Sequence, residues 1–231
     1  MKIITNTKLI EKNKKIGNYT MIASLVILGV GLVISFTQVE LVNYAFLSLI
    51  IGFFLSQISI YYANRFGKSP RPDELITQSL KGLDDKYYLY HYTTPVPHLL
   101  VGPGGVFVLA PYSQTGKIYF DTKKNRWAQK GGNFYLKIFA QDSIGRPDLD
   151  VKTQIEDLQK FLIKNSANEA DLPEIKAILL FTSKKVEVEQ TDSEPPAIMI
   201  DKLKEIVRRT SKESPMKQAT LQNILNALPN E

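Results

Sequence analysis

Residues 96–110 read Val-Pro-His-Leu-Leu-Val-Gly-Pro-Gly-Gly-Val-Phe-Val-Leu-Ala and decide the fold. Two short apolar runs, His98–Val101 and Val106–Ala110, flank the segment Gly102–Gly105. Apolar runs of this length bounded by Gly and Pro predict strands. Pro followed by Gly at the centre of the segment predicts a type II turn between them. A phosphate-binding glycine loop would lead from a strand into a helix instead, so the sequence favours a β-hairpin.

The sequence around this hairpin predicts a mixed α/β domain over residues 73–231. A helix should begin near Asp73, and further short strands follow it. The chain then alternates strands with amphipathic helices, an order typical of a mixed sheet covered by helices. The other predicted strands are Lys86–Tyr92, Lys117–Phe120, Arg126–Ala128, Ile175–Phe181, Val186–Val188 and Ala197–Met199, and the predicted helical faces contain Ile76, Leu80, Val151, Leu162, Leu203, Val207, Leu221 and Leu228.

Two uncharged apolar runs near the N-terminus predict a transmembrane helical hairpin over residues 1–66. The spans are expected at residues 19–36 and 41–62, and Glu40 is the single charged residue between them. The first span would be about 27 Å long as a helix, close to the thickness of the hydrocarbon core of a bilayer. A cleaved signal peptide is the alternative, but no small-residue cleavage site follows Phe36.

The charge distribution predicts how this hairpin is oriented. The chain carries a net charge of +6, and residues 1–68 supply +5 of it through seven Lys and Arg against two Asp and Glu. These basic residues lie before the first span and after the second, and the connector 37–40 has none. The positive-inside rule then places both termini and the α/β domain in the cytoplasm. We therefore expect an integral protein of a bacterial plasma membrane.

Small residues recur at helical spacing along the second predicted span. They allow a neighbouring helix to approach closely, and packing against the first span of the same chain is the favoured interpretation. Homo-oligomerisation through Ser48, Gly52 and Ser56 is the alternative. No ionisable residue lies inside either span, so a transport or proton-relay function has no support.

The composition excludes several kinds of catalytic and metal-binding site. The chain has no Cys and only two His, which excludes disulfides, thiol nucleophiles and Cys-ligated metal sites. His91 and His98 lie seven residues apart, and sequence alone identifies no partner for either. Asp148 and Asp150 lie near a predicted helix start, where acidic residues stabilise the helix dipole. Capping is therefore favoured over metal binding for this acidic pair.

A cluster of basic residues surrounds Trp127, the single Trp of the chain. Basic residues with an interleaved aromatic ring occur on nucleic-acid-binding surfaces. The net charge of residues 69–231 is only +1, however, which favours a solvated hairpin. The basic residues concerned are Lys123, Lys124, Arg126 and Lys130.

The stretch from Val96 to Ile118 resembles the central block of the nuclease-related domain (NERD) family. Members of that family open a strand with Ile-Asp-His, continue with Gly-Pro-x-Gly-Val-Phe-Val, and place Glu-x-Lys or Asp-x-Lys before a Ser-Gly turn. The resemblance extends loosely from about Asp73 to the Ile175–Phe181 strand and the Leu203 helix. It implies a restriction-endonuclease-like α/β core, in which an Asp and a Glu on adjacent strands hold Mg²⁺ and a Lys positions the attacking water.

This chain departs from the family at those three positions. The resemblance places the Asp at Pro97, the Glu at Ala110 and the Lys at Tyr112, and none of these side chains supplies a carboxylate or an ammonium group. Glu74 corresponds to an acidic residue often present near the first helix of family members, although an acid there also stabilises a helix start. The glycines and apolar residues of the central block are retained.

The sequence therefore predicts a membrane-tethered module without catalytic activity or cofactor. Its expected partners are the lipid bilayer and an unidentified protein or nucleic acid at the cytoplasmic face. One alternative is a metal-dependent nuclease whose site has been rebuilt from Glu74, Asp121 and other acidic residues, which requires those carboxylates to converge on one metal. A second alternative is a structural membrane protein whose domain serves only self-association.

Overall fold

A computed structural model describes residues 1–132, 134–139, 142–165, 172–189 and 195–229. The strands are β1 (Lys2–Thr5), β2 (Tyr88–His91), β3 (His98–Gly102), β4 (Gly105–Tyr112), β5 (Gly116–Asp121), β6 (Arg126–Lys130), β7 (Ile175–Phe181), β8 (Val186–Val188) and β9 (Ala197–Met199). The α-helices are α1 (Thr7–Thr37), α2 (Val42–Tyr62), α3 (Pro72–Ser79), α4 (Phe134–Phe139), α5 (Pro147–Lys164), α6 (Leu203–Glu213) and α7 (Gln218–Ala227). Short helical turns cover Val39–Leu41, Ala63–Gly67 and Ile200–Lys202.

Six strands form the central mixed sheet in the order β1-β2-β3-β4-β7-β9. β2, β3 and β4 run antiparallel to one another, whereas β1, β7 and β9 join their neighbours in parallel. A second sheet has the order β6-β5-β8. The predicted arrangement, an apolar helical hairpin followed by a mixed α/β domain, is confirmed.

The central sheet buries apolar side chains on both faces because alternate residues of each strand point to opposite sides. Leu99, Val108 and Ala110 belong to a cluster that includes residues of α5 and α7, and we call this side the α5/α7 face. Leu100 and Phe107 belong to a second cluster with residues of α3 and α6, which we call the α3/α6 face. The sheet therefore lies between two layers of helices.

The first six residues belong to the α/β unit, which corrects the sequence-based hairpin boundary of 1–66. β1 pairs in parallel with β2, with Ile3 opposite Leu89, and the amide of Asn6 donates to the carbonyl oxygen of His91 at 3.0 Å. The chain forms two compact units, one of Met1–Asn6, Pro72–Phe134 and Asp142–Glu231, and one of Thr7–Arg71 with Tyr135–Gln141. The two apolar helices are thus inserted between the first strand and the first helix of the α/β unit.

The hairpin unit contains the two predicted spans, and both helices are long and apolar enough by length and composition to cross a membrane. α1 and α2 meet along small residues spaced seven apart, an interval that keeps one face of a helix toward its partner. Two interhelical hydrogen bonds reinforce this contact, from Ser24 Oγ to the carbonyl of Gly52 at 2.8 Å and from Ser59 Oγ to that of Gly17 at 2.9 Å. The buried small residues are Gly17, Ser24, Gly31, Ala45, Gly52 and Ser59.

Close packing against α1 accounts for two of the small residues singled out in the second span. A Cβ atom added to Gly52 would lie 2.5 Å from Leu28, and one added to Gly31 would lie 2.6 Å from Ser48 Cβ. Ser56 donates within its own helix, to the carbonyl of Phe53 at 2.7 Å. These contacts support packing within one chain, and homo-oligomerisation stays a prediction.

The Gly102–Gly105 hairpin has a different turn from the one that the sequence predicts. A type II turn requires a positive φ at its third residue, Gly104, but the positive φ of 125° occurs one residue later, at Gly105. The turn packs against α6, because a Cβ atom on Gly104 would lie 3.1 Å from the carbonyl oxygen of Val207. Pro103 also accepts a hydrogen bond from the amide of Met216 at 2.8 Å. The glycines thus serve close backbone packing.

Candidate functional site

Two of the three positions that the family resemblance assigns to metal chemistry contribute to the α5/α7 face. Ala110 and Tyr112 are alternate residues of β4, and they pair with Leu179 and Phe181 of β7. The third position, Pro97, immediately precedes β3. The pairing of β3 with β4 ends at Leu99 opposite Val108, so Pro97 lies two residues before the last paired residue.

Apolar side chains surround these positions. Ala110 is 5% exposed and belongs to the buried cluster that contains Ile118, Trp127 and Phe181. The ring of Tyr112 packs against that of Phe181, with centroids 5.8 Å apart and planes tilted by 30°. This environment is a hydrophobic core, in which an ionised carboxylate would be strongly disfavoured.

The residues at this location do not fit a divalent metal. Mg²⁺ prefers carboxylate oxygens, and Pro, Ala and Tyr side chains contribute none. The indole Nε1 of Trp127 is buried in the same cluster without a hydrogen-bond partner among the described residues, but an N–H group donates and cannot ligate a cation. Across the described part of the chain, no group of three or more His, Asp or Glu side chains could hold a metal ion.

The two acidic residues considered for a rebuilt site belong to different parts of the fold. Glu74 is in the first turn of α3, the helix that packs on the α3/α6 face through Ile76. Asp121 ends β5 in the three-stranded sheet. Its Oδ1 atom accepts hydrogen bonds from the amides of Lys123 and Lys124 at 3.1 and 3.2 Å. Asp121 therefore closes the turn between β5 and β6.

Comparison with protein families identifies the segment that carries this site. Residues 73–182 match the family model of the nuclease-related domain. The chain contains a nuclease-related domain. No curated protein and no solved structure matches the chain significantly. The match runs from the first residues of α3 to the end of β7, so β1, the hairpin and α6 lie outside it.

The nuclease-related domain also contains a buried histidine pair whose contact does not follow from the sequence alone. His91 and His98 are directly opposite each other on β2 and β3, and both are at most 2% exposed. Their Nδ1 atoms lie 2.9 Å apart, and His91 Nε2 lies 3.0 Å from Thr77 Oγ1. Thr77 belongs to α3, so the pair lies on the side opposite Ala110. The signal available in the sequence was a spacing of seven residues between two predicted strands.

Hydrogen bonding limits the protonation states of this pair. One Nδ1 atom must donate to the other, so at least one imidazole is neutral in the observed geometry. The pair can accept one further proton and keep the bond, whereas two cationic rings would direct two N–H groups at each other. The contacts join α3 to the β2–β3 hairpin.

The first of the two acidic residues at the start of α5 forms an ion pair with Arg146. Arg146 donates to both carboxylate oxygens of Asp148, at 3.2 and 2.7 Å. This hydrogen bonding lowers the pKa of Asp148 below its ordinary value of 3.8. Asp148 and Asp150 lie in the first helical turn, where negative charge is stabilised by the helix dipole.

The Trp of the basic patch is not available for stacking. Trp127 is 1% exposed and lies edge-to-face against Phe120, with ring centroids 5.6 Å apart. Recognition of single-stranded nucleic acid depends on exposed rings. The basic residues of β6 and the preceding turn therefore surround a core Trp, as expected for a solvated hairpin.

Proposed function

We propose that the protein is a membrane-tethered, non-catalytic nuclease-related module that binds or scaffolds a protein or nucleic-acid partner at the cytoplasmic face. The observation that carries this proposal is the burial of Ala110 in an apolar cluster. The family resemblance places a metal-binding carboxylate at this position. The nuclease-related frame is retained here without the groups that would hold the metal.

All three catalytic groups that the family resemblance implies are missing from this chain. Pro97 and Ala110 lack the two carboxylates that would anchor Mg²⁺, and Tyr112 lacks the ammonium group that would act on water. Metal-assisted phosphodiester cleavage requires a cation held near both the phosphate and the nucleophile. The ring of Tyr112 packs on that of Phe181. Its role here is therefore packing between neighbouring strands of the sheet.

The outer surface of the helical hairpin supports the membrane tether. Large apolar side chains are exposed around both helices, including Leu25 at 63% and Phe54 at 62%. Exposed apolar surface on this scale is unfavourable in water and favourable in lipid. The small residues between α1 and α2 provide the close packing that lipid-embedded helices use.

The position of β1 supports an orientation with both ends on one side. β1 precedes the hairpin and β2 follows it, and the two strands pair in one sheet. Residues before α1 and after α2 must therefore lie on the same side of any membrane that the hairpin crosses. Two spans satisfy this requirement, and the flanking Lys and Arg residues favour the cytoplasmic side.

A cleavage assay tests the non-catalytic part of the proposal. The full chain, purified in detergent, is incubated with single- and double-stranded DNA and RNA in the presence of Mg²⁺ or Mn²⁺. We expect no metal-dependent cleavage above a protein-free control. Cleavage by the wild-type chain that Glu74→Gln abolishes would refute the proposal and support a rebuilt metal site.

Single-cysteine labelling tests the orientation of the tether. The chain has no native Cys, so a membrane-impermeant maleimide reports one introduced position at a time. Gln38→Cys in the connector should react in intact cells, whereas Lys124→Cys in the exposed β5–β6 turn should react only after permeabilisation. Reaction of both variants in intact cells would contradict a cytoplasmic domain.

A further inference from the structure

A short helix between β6 and α5 presents aromatic side chains at the surface. The sequence of α4 is Phe-Tyr-Leu-Lys-Ile-Phe, and Tyr135 and Phe139 are 70% and 50% exposed. Their rings stack with centroids 6.5 Å apart and planes 17° from parallel, because residues four apart share one side of a helix. Contiguous exposed apolar surface marks sites that contact a partner or a lipid phase.

This helix belongs to the compact unit of the apolar hairpin. Tyr135–Gln141 group with Thr7–Arg71, and Phe139 contacts Phe53 of α2 edge-to-face, with ring centroids 6.5 Å apart. Phe53 lies nine residues before Tyr62, the last residue of α2, which corresponds to about 14 Å along the helix axis. Whatever medium surrounds α2 at this level also meets Phe139.

We propose that α4 inserts into the cytoplasmic leaflet of the bilayer beside α2, so that the hairpin unit contacts lipid through a third element. This inference rests on the proposed membrane tether. The aromatic surface of α4 continues the exposed apolar surface of α2, where Phe53 and Phe54 are 40% and 62% exposed.

The composition and length of α4 fit this location. Five of its six residues are apolar or aromatic, and Tyr is enriched where membrane proteins meet the lipid headgroups. Lys137 is the single charged residue, and its long side chain can keep its ammonium group at the headgroups. Six residues are far too few to span a bilayer, so the segment must enter and leave through the same leaflet.

Depth-dependent fluorescence quenching tests the insertion on the full chain. Because the chain has no Cys, Tyr135→Cys can be labelled with a single polarity-sensitive fluorophore and reconstituted into phosphatidylcholine–phosphatidylglycerol vesicles. A fraction of the lipids carries a nitroxide quencher on the acyl chain. Leu25→Cys on the outer surface of α1 serves as the lipid-exposed control, and Lys124→Cys in the β5–β6 turn serves as the water-exposed control.

We expect the nitroxide lipids to quench the fluorophore at position 135 at least half as strongly as the fluorophore at position 25. The fluorophore at position 124 should be quenched very little. Quenching at position 135 equal to that at position 124, with strong quenching at position 25, would overturn the inference and leave the tether intact. Absence of quenching at both 25 and 135 would overturn both proposals, whereas quenching at 135 alone would support lipid contact by α4 and contradict the tether.

A second substitution separates insertion from simple exposure of the label. Phe139→Asp adds a charge to the inserted surface and should reduce quenching at position 135 to the level at position 124, since a carboxylate is disfavoured in lipid. Phe139→Leu, its matched apolar control, should preserve the quenching. Equal quenching in the Asp and Leu variants would contradict the insertion of α4.

Discussion

Restoring a carboxylate at the position of the family Glu should destabilise the protein. Ala110→Glu adds four heavy atoms to a site that is 5% exposed in an apolar cluster. Overpacking a filled core costs about 1–3 kcal/mol, and burying an uncharged polar group costs about 1–3 kcal/mol more. We therefore expect the free energy of unfolding to fall by about 2–6 kcal/mol, before any charge is considered.

The charge adds a pH-dependent cost whose sign follows from burial. An apolar environment raises the pKa of the introduced carboxyl above the value of about 4.3 for Glu in an unfolded chain. Between these two pKa values the unfolded state is ionised and the folded state is protonated. The destabilisation therefore grows with pH, by about 1.4 kcal/mol per pH unit, until the folded-state pKa is reached.

Thermal unfolding of the full chain in detergent measures this effect, with Ala110→Gln as the matched control. Gln has nearly the same size and also buries polar atoms, but it does not ionise. The two variants should melt at similar temperatures near pH 4, and the Glu variant should melt lower at pH 7. Each kcal/mol corresponds to about 2–4 °C in a chain of this size. Equal melting temperatures at every pH, or a Glu variant stabilised by Mg²⁺, would refute the apolar environment.

Three further predictions concern packing and polar contacts. Gly31→Ala should destabilise the hairpin by about 1–3 kcal/mol in thermal unfolding, because its Cβ atom would lie 2.6 Å from a neighbouring Cβ. Gly29→Ala, which has nothing within 4 Å of its added Cβ, should be neutral or stabilising. Equal effects of the two substitutions would contradict the close contact between α1 and α2. Asp148→Asn should lower the melting temperature above pH 3.8, the ordinary pKa of Asp. The difference in melting temperature from the wild-type chain should disappear as the pH falls through the lower pKa of Asp148 in the folded state. A difference that persists in acid would contradict the ion pair. His91→Phe and His98→Phe should each lower the free energy of unfolding by about 1–3 kcal/mol, because each leaves the other buried imidazole without its partner. The double variant should lose less than the sum of the two single losses. Additive losses in a double-mutant cycle would show that the two histidines are not coupled.

Long apolar segments were the part of the fold that the sequence predicted well. The two hairpin helices, and strands such as β4 and β7, are marked by apolar runs within their own sequence, so no knowledge of their neighbours in the fold is needed to predict them. β1 could not be recognised in this way, because four residues carry too little periodicity and the strand is defined by its pairing with β2. The turn at Gly104 was predicted as type II, but the positive φ occurs at Gly105, where the turn packs against α6, an element distant in sequence.

For the candidate site, too, the sequence showed which residues are present, whereas their surroundings depend on the tertiary structure. The identities of Pro97, Ala110 and Tyr112 were readable because a motif with fixed spacing surrounds them. The burial of Ala110 among apolar side chains depends on its packing with β7, which is distant in sequence. The histidine pair, His91 with His98, required the register of a hairpin, and sequence spacing alone does not establish such a contact.

Titration of the full chain with Mn²⁺ tests the central claim most directly, because it asks whether the nuclease-related frame can hold a catalytic metal. A cation that binds the folded state stabilises it by RT ln(1 + [L]/Kd) and raises the melting temperature accordingly. We predict no rise in the melting temperature up to millimolar Mn²⁺, and the same result for Glu74→Gln. A rise that grows with the Mn²⁺ concentration in the wild-type chain and is lost in Glu74→Gln would contradict the claim and show that the domain retains a metal site.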